Sequence, residues 1–512
     1  MNQVKKNFVT NIFVFCVNIA VGLLYTPFLV KMLGTEAYGI VPLALIINQY
    51  ISILTDSLRG AVTRFYSVEY RQGNYNKASA YFTSSIVLSI ALALILIPLS
   101  CIPIHYSESL LHIPHEYVSS AKLLFLLTVI SLFISVISNC VNITIFADNR
   151  LDYMNYLKII RNVSKLLINV FLFIFISVDI SGIGIANICS EVLVLIVSVY
   201  FFKQKKPRGI YFSFSIFHMK DVSPIFGMIT WVSITSLASV FIYRIDALFI
   251  NNYFGLYNTG ILGAISEFGS YCNSITAILS SLLSPLILIA YSKLQHEDVV
   301  SLTVRGGYVI GLFCSLICGL IMGFSFPVLN LWLNEDFAHH SFWMIIKIST
   351  IALTTMGSVY AYANYCCNIV KKPALYSLII SIVYVLLSII LLELGMKIEG
   401  FLIINCVASI AQAVIMSQVF FMKSYPSARK IIHIKNIKLV LYLVIVFSIS
   451  WFFCKFVEIH NLFQLLLYLL LFALVSSVLA LSFMNKHDIQ TLNLFVPVKT
   501  LIRYIPIIKN KE

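Results

Sequence analysis

From residue 79 to residue 103 the chain reads SAYFTSSIVLSIALALILIPLSCIP without one charged side chain, and runs of this kind recur from one end of the sequence to the other. A helix of about 20 such residues crosses the hydrocarbon core of a bilayer. Backbone groups in lipid must find their hydrogen bonds inside the segment, and uninterrupted apolar runs select helices over the alternating strands of a barrel. Composition points the same way. With 60% hydrophobic and 11% charged residues in 512, and a mean hydropathy of +0.94, the chain has no soluble core large enough to hide its apolar side chains. The expected fold class is all-α, a polytopic membrane protein.

Six spans are placed at about 8–33, 40–58, 79–103, 119–146, 157–178 and 182–202. The basic connector KQKKPRG (Lys203 to Gly209) follows. Eight more spans lie near 224–252, 259–288, 304–333, 341–369, 374–394, 400–422, 438–457 and 462–483. Fourteen spans put both termini on one side. With that side cytoplasmic, about 28 of the 35 Lys and Arg fall on the inner face and about four on the outer. The net charge of +14 is thus positive-inside topology, and no basic domain for nucleic acid is present. Lys5 and Lys6 ahead of an apolar run imitate a signal peptide, but Asn11 and Asn18 interrupt the run and no small-residue cleavage site follows, so an uncleaved first span is expected.

The chain carries an internal repeat. The first span closes at a tight turn, Gly34 to Gly39, and the turn returns as Gly255 to Gly260 at an offset of about 221. Phe65-Tyr66-Ser67 matches Ala290-Tyr291-Ser292 at about 225, and GIGIAN (Gly182 to Asn187) matches GFLIIN (Gly400 to Asn405) at about 218. Six spans per copy is an even number, so the copies share one orientation, a parallel repeat. The expected domains are a six-helix lobe over 1–202, a cytoplasmic connector over 203–221, a second six-helix lobe over 222–423, and two additional helices with a cytoplasmic tail over 424–512.

Short loops leave no room for a soluble catalytic domain, and there is no Walker A, GxSxG or HExxH sequence. The 11 cysteines form no CxxC and read as apolar filler. The outer loop His105 to Tyr117 holds three histidines at spacings that suit no common metal motif.

Polar residues inside spans carry the functional signal, because a lipid-facing helix would not tolerate them. On the fifth span Asn155, Lys158, Asn162, Lys165 and Asn169 share one helical face, with Arg161 beside it. Lys158 and Arg161 suit snorkelling to the inner head groups. Lys165 lies about two turns deep. With Glu191 at similar depth on the sixth span, both a Lys165–Glu191 pair and an anion-binding Lys165 fit. On the seventh span Arg244 and Asp246 follow a small polar face, and Glu267 on the eighth lies at similar depth, where it can meet Arg244. That set serves either as static packing or as an outer gate or coupling site. Lys347 gives the tenth span a comparable face. Stripes on the first span (Asn7, Asn11, Asn18) and the fourth (Ser131, Ser135, Asn139, Asn142) suit helix packing. Cations outnumber anions on these faces, which points to a transporter for an anionic amphiphile.

The chain resembles the polysaccharide flippases, or O-antigen translocases, of the superfamily that also holds the multidrug and toxic compound exporters. Pro27-Phe28-Leu29 with Leu33-Gly34-Thr35-Glu36-Ala37-Tyr38-Gly39, Arg64 with FYSVEYRQGNYNKA, Asp246 in RIDALFI ahead of Gly255-Leu256-Tyr257, and GFLIIN carry the resemblance. It implies two six-helix lobes plus two helices, a bacterial inner membrane, and export of an undecaprenyl-pyrophosphate-linked oligosaccharide from the cytoplasmic to the periplasmic leaflet by alternating access. On that reading Lys165, Arg161, Arg244 and Lys347, with Asn162 and Asn169, meet the head group and sugar, and Asp246, Glu267 and Glu191 serve coupling or gating. No cofactor is expected, though a coupling H+ or Na+ fits. The expected partners are the lipid-linked oligosaccharide, membrane lipids, a polysaccharide polymerase and a chain-length regulator. A multidrug exporter, a membrane polymerase and a non-transporting scaffold are the alternatives. An acid-rich cavity would favour the first and long outer loops the second.

Overall fold

The computed structural model of the protein describes residues 3–148, 150–205, 209–216, 230, 233–367, 369 and 371–492. Part of the expected connector, the start of the seventh expected span and the C-terminal tail lie outside these residues. Described secondary structure is helical throughout, with no strand among the described residues. The long helices are α1 (Gln3–Leu33), α2 (Ile40–Arg71), α3 (Tyr75–His105), α4 (His115–Ala147), α5 (Leu151–Phe175), α6 (Ser181–Lys205), α7 (233–243) and α8 (Asp246–Ser292). They continue with α9 (His296–Gly323), α10 (Ser325–Trp332), α11 (Ser341–Cys366), α12 (Lys371–Glu393), α13 (Ile398–Ser424), α14 (Arg429–Phe456), α15 (Leu462–Phe483) and the short α16 (Lys486–Leu492).

Twelve stretches among the described residues are long and apolar enough to cross a membrane. One of them, Ser233–Ser280, is 48 residues long and is bent at Gly255, long enough for two crossings. The polar face of α5 keeps that helix out of the twelve. The expected second span ended at residue 58, whereas α2 runs to Arg71, because Leu58, Ala61, Val62 and Tyr66 keep a buried apolar stripe at helical spacing. Asp56 and Arg59 therefore sit inside a helix and not at its end.

The chain divides into two compact units, Met1–Val240 with Arg244–Gly263, and Phe241–Tyr243 with Ala264–Glu512. In the first unit α1 and α5 are joined by a ladder of polar side chains. Asn7 Oδ1 accepts from the Asp152 backbone N–H (3.2 Å) and Thr10 Oγ1 accepts from Asn155 Nδ2 (3.0 Å). Asn18 Oδ1 accepts from Asn162 Nδ2 (2.6 Å) and Tyr25 Oη from Asn169 Nδ2 (2.5 Å). The sequence offset stays at 144 to 145 from rung to rung, so the two helices run parallel. Asn155, Asn162 and Asn169 follow a seven-residue repeat, the spacing of a coiled-coil seam. Each such bond in a bilayer contributes about 0.6 kcal/mol on average.

Asp152 begins α5 fully buried, with Lys6 Nζ at 2.7 Å from Oδ2 and Arg150 Nε at 3.1 Å from Oδ1. Burial alone would raise this carboxyl, but the hydrogen bonds and charges of Arg150 and Lys6 more than offset it and hold it at about 2, against an ordinary 3.8. A depressed carboxyl adds stability that is complete above its ordinary pKa and disappears as pH falls through the depressed value. Purified wild-type protein is expected to lose no more than about 2 kcal/mol from this source between about pH 4 and pH 2. Asp152→Asn should start lower at neutral pH and lack that acid slope; an unchanged slope in thermal melts of the variant would assign it to other groups.

The two repeated turns meet within the first unit. Gly34 (φ 81°) and Gly255 (φ 85°) hold the same backbone conformation, open to glycine alone, and no neighbour crowds either. Gly39 and Gly260 are glycines for a different reason. A Cβ on Gly39 would overlap the Leu256 carbonyl oxygen, and one on Gly260 would overlap that of Thr35. Each copy's second glycine thus lies on the residue that follows the other copy's first.

In the second unit α14 packs along α9 through small residues four apart. Gly311, Ser315, Gly319 and Gly323 form the ridge, and a Cβ on any of the three glycines would overlap Leu439, Val446 or Ser450. The same region holds a buried ion pair absent from the expectations above. Lys435 Nζ lies 2.6 Å from Asp488 Oδ1 and 4.0 Å from the centre of the Tyr308 ring, with both charged side chains under a tenth exposed. Tyr308 Oη in turn donates to the Phe483 carbonyl (3.0 Å), and Asp488 Oδ2 accepts from the Asn485 backbone N–H (3.1 Å). α16 is thereby pinned to α9 and α14.

Candidate functional site

The charges predicted on α5 lead into a polar region of the first unit. Arg161 leaves the ladder face and turns to α6, where Nε lies 2.6 Å from Glu191 Oε1 and Nη2 donates to Glu191 Oε2 at 3.0 Å. Nη2 also donates to Ser135 Oγ on α4 at 3.2 Å. The residue paired with Glu191 is therefore Arg161, which the sequence placed among the snorkelling cations. A planar guanidinium fork matches both oxygens of a carboxylate, and an ammonium on the same helix has no such geometry. Lys165, one turn deeper, is half-buried with Nζ 5.4 Å from the centre of the Tyr25 ring.

One turn along α4 from Ser135 is Asn139, which lines a narrow cleft. Thr55, Asp56 and Arg59 of α2 and Ser85 and Ser89 of α3 complete its polar wall. Arg59 Nη2 lies 3.1 Å from Asp56 Oδ1, and both side chains are about half exposed. Arg59 and Arg161 are both within electrostatic reach of Lys158, itself exposed. The α4 stripe expected to pack helices thus runs from the Arg161–Glu191 pair to the cleft. Four cations, Arg59, Lys158, Arg161 and Lys165, gather here around two carboxylates, Asp56 and Glu191.

Asn162 and Asn169, predicted to meet sugar, are the α5 half of the ladder to α1 described above. Asp246 is buried at the start of α8, with Oδ1 accepting from the Ala247 backbone N–H at 2.9 Å. Arg244 is exposed and belongs to the first unit, while Glu267 is half-buried and belongs to the second. Lys347 donates to Asn405 Oδ1 (3.4 Å), whose Nδ2 reaches the Ile242 carbonyl (2.6 Å) and Tyr384 Oη (3.0 Å). Asn405 closes the repeated GFLIIN sequence, so the motif supplies an internal crosslink of the second unit. Asp56 and Arg59 were missed because hydropathy falls at them. The signal that could have found them is the apolar stripe that continues past them at helical spacing.

Residues 4–288 match a family model described as polysaccharide biosynthesis protein. The chain is 26% identical over 392 residues to the uncharacterized membrane protein EpsK of Bacillus subtilis (strain 168), covering 75% of this chain and 76% of that one. Among solved structures it is similar to the inward-facing conformation of a multidrug resistance MATE family transporter of the MOP superfamily, with a TM-score of 0.69 at 14% identity over 84% of this chain and 99% of that one. It is similar also to lipid II flippase MurJ in an inward closed conformation, with a TM-score of 0.67 at 15% identity over 98% of this chain and 99% of that one. At these identities the structural likeness is one of fold.

Proposed function

This chain belongs to the polysaccharide biosynthesis protein family, and from that premise we propose that it is a flippase. Its cargo on this reading is an undecaprenyl-pyrophosphate-linked oligosaccharide, the repeat unit of O-antigen or a similar surface polysaccharide. It carries that cargo from the cytoplasmic to the periplasmic leaflet of a bacterial inner membrane by alternating access. The observation that carries the proposal is the group of four cations around two carboxylates on helices α2, α5 and α6. Charges in a bilayer are costly unless they have work to do, and a group in which cations outnumber carboxylates suits a diphosphate. Asn139, on the cleft wall, offers an amide partner for sugar, while the lipid tail stays in the bilayer. An exporter of cationic drugs would need the opposite balance of charge. No bond in the cargo is made or broken.

Arg161 and Lys165 with Arg59 and Lys158 are assigned to the head group. Arg244 and Lys347 take the same part later in the chain, and Asp246 and Glu267 are assigned to coupling with H+ or Na+. The polymerase and chain-length regulator act on the delivered unit. In a strain lacking the gene, single lipid-linked repeat units are expected to accumulate on the cytoplasmic leaflet as surface polymer disappears. Lys165→Gln restored to that strain should insert normally yet return less than about a tenth of the polymer, the cost of one lost charge-assisted contact. Units that reach the outer leaflet unpolymerised would instead make the protein a polymerase or its partner. Full export by the Lys165 variant would remove that residue from the site.

A further inference from the structure

We propose that Glu191 is a resident counter-ion, occupying Arg161 while the site is empty and yielding it to the diphosphate of the cargo. The inference rests on the flippase reading above. Glu191 Oε2 accepts from Nη2 of Arg161 at 3.0 Å, with Nε 2.6 Å from Oε1, and a phosphate oxygen would take the same charge-assisted bond. An arginine at this depth, about 15 Å along α5, is costly without a partner, so an empty site needs an anion of its own. The pair is not sealed, since the Arg161 side chain keeps 29% of its surface exposed and that of Glu191 12%.

The surroundings favour exchange over a fixed brace. Lys165 also acts on Glu191, so the carboxylate is shared between two cations of α5. Asp56 is already engaged with Arg59 at 3.1 Å. Ser135 Oγ accepts from Nη2 at 3.2 Å and would keep the guanidinium in place when the carboxylate leaves. Displacing Glu191 subtracts from the net affinity for the arriving diphosphate. That subtraction is useful in a carrier, because a head group held with no competing anion would be slow to leave on the far side.

The test is binding of radiolabelled inorganic pyrophosphate to the purified full-length protein in lipid nanodiscs, with surface polysaccharide measured in cells carrying each variant. Glu191→Gln is expected to bind pyrophosphate about tenfold tighter than wild type while exporting less, because the competitor is gone and release is slow. Glu191→Asp, which draws the charge back by one methylene, should fall between them and carries the test if the glutamine variant does not accumulate. Arg161→Gln should lose most of the binding. Unchanged or weaker binding by Glu191→Gln, in a protein that melts like wild type, would make Glu191 a fixed brace and overturn the proposal while wild-type binding leaves the anion site standing. If neither wild type nor Glu191→Gln binds pyrophosphate, the anion site and the counter-ion fall together.

Discussion

Gly39→Ala is expected to cost about 3 kcal/mol or more, enough to remove most of the folded protein from the membrane. The added methyl has nowhere to go, because the atom it meets is a main-chain oxygen of Leu256 and not the tip of a side chain that could swing away. Gly260→Ala meets the Thr35 carbonyl and should behave alike. Gly34→Ala tests a different mechanism, backbone strain at φ 81°, and should cost about 1 to 3 kcal/mol although its surroundings are empty. Gly60→Ala, in the interior of α2 with open space around it, is the control and should be neutral or gain up to about 1 kcal/mol. Accumulation and thermal melting of the four purified variants check the order. If Gly39→Ala matches Gly60→Ala, the two turns do not meet in the working protein.

Asp488→Ala should be as damaging. It strands the Lys435 ammonium in a place where less than a tenth of that side chain is exposed, and breaking one side of a buried pair costs about 3 to 5 kcal/mol. The neighbouring Tyr308 ring offers Nζ a π face at 4.0 Å, which offsets only part of that loss. Removing both charges is a different experiment. Lys435→Met with Asp488→Leu keeps the volume and asks for no counter-ion, so the double variant should melt near wild type. A double variant as weak as the single one would mean that the pair holds α16 by direction and not merely by neutrality.

Much of this architecture was legible in the chain itself, for a physical reason. Lipid forbids unpaired backbone, so apolar run length alone places helices, and the spans from α3 to α6 and from α11 to α15 lie close to where the runs put them. The shared face of Asn155, Asn162 and Asn169 was legible too, but its use was not. Periodicity states that residues lie together and says nothing about what they face, and in this structure Asn162 and Asn169 bond to α1. Arg161 and Lys165 posed the same difficulty. They lie four residues apart on one helix, and only the structure shows that Arg161 donates to both Ser135 and Glu191. Asp488 was invisible because it follows the last apolar run and reads as tail. The Gly311, Ser315, Gly319 and Gly323 ridge was present in the sequence as small residues four apart, yet only the approach of α14 gives it meaning.

The repeated turns have a further implication. Gly39 rests on the residue after Gly255, and Gly260 rests on the residue after Gly34, so position i of one copy touches j of the other and j touches i. That reciprocity is the signature of an isologous interface, the kind two identical subunits form across a two-fold axis. A polypeptide of half this length, carrying one turn, would have made this contact with its own twin, and fusion of two genes would then have enclosed a dimer interface within one chain. Covalent linkage frees the two sides from identity. Thr35 and Leu256 already differ where their carbonyls do the same task, whereas an ancestral subunit had to satisfy both sides with one residue.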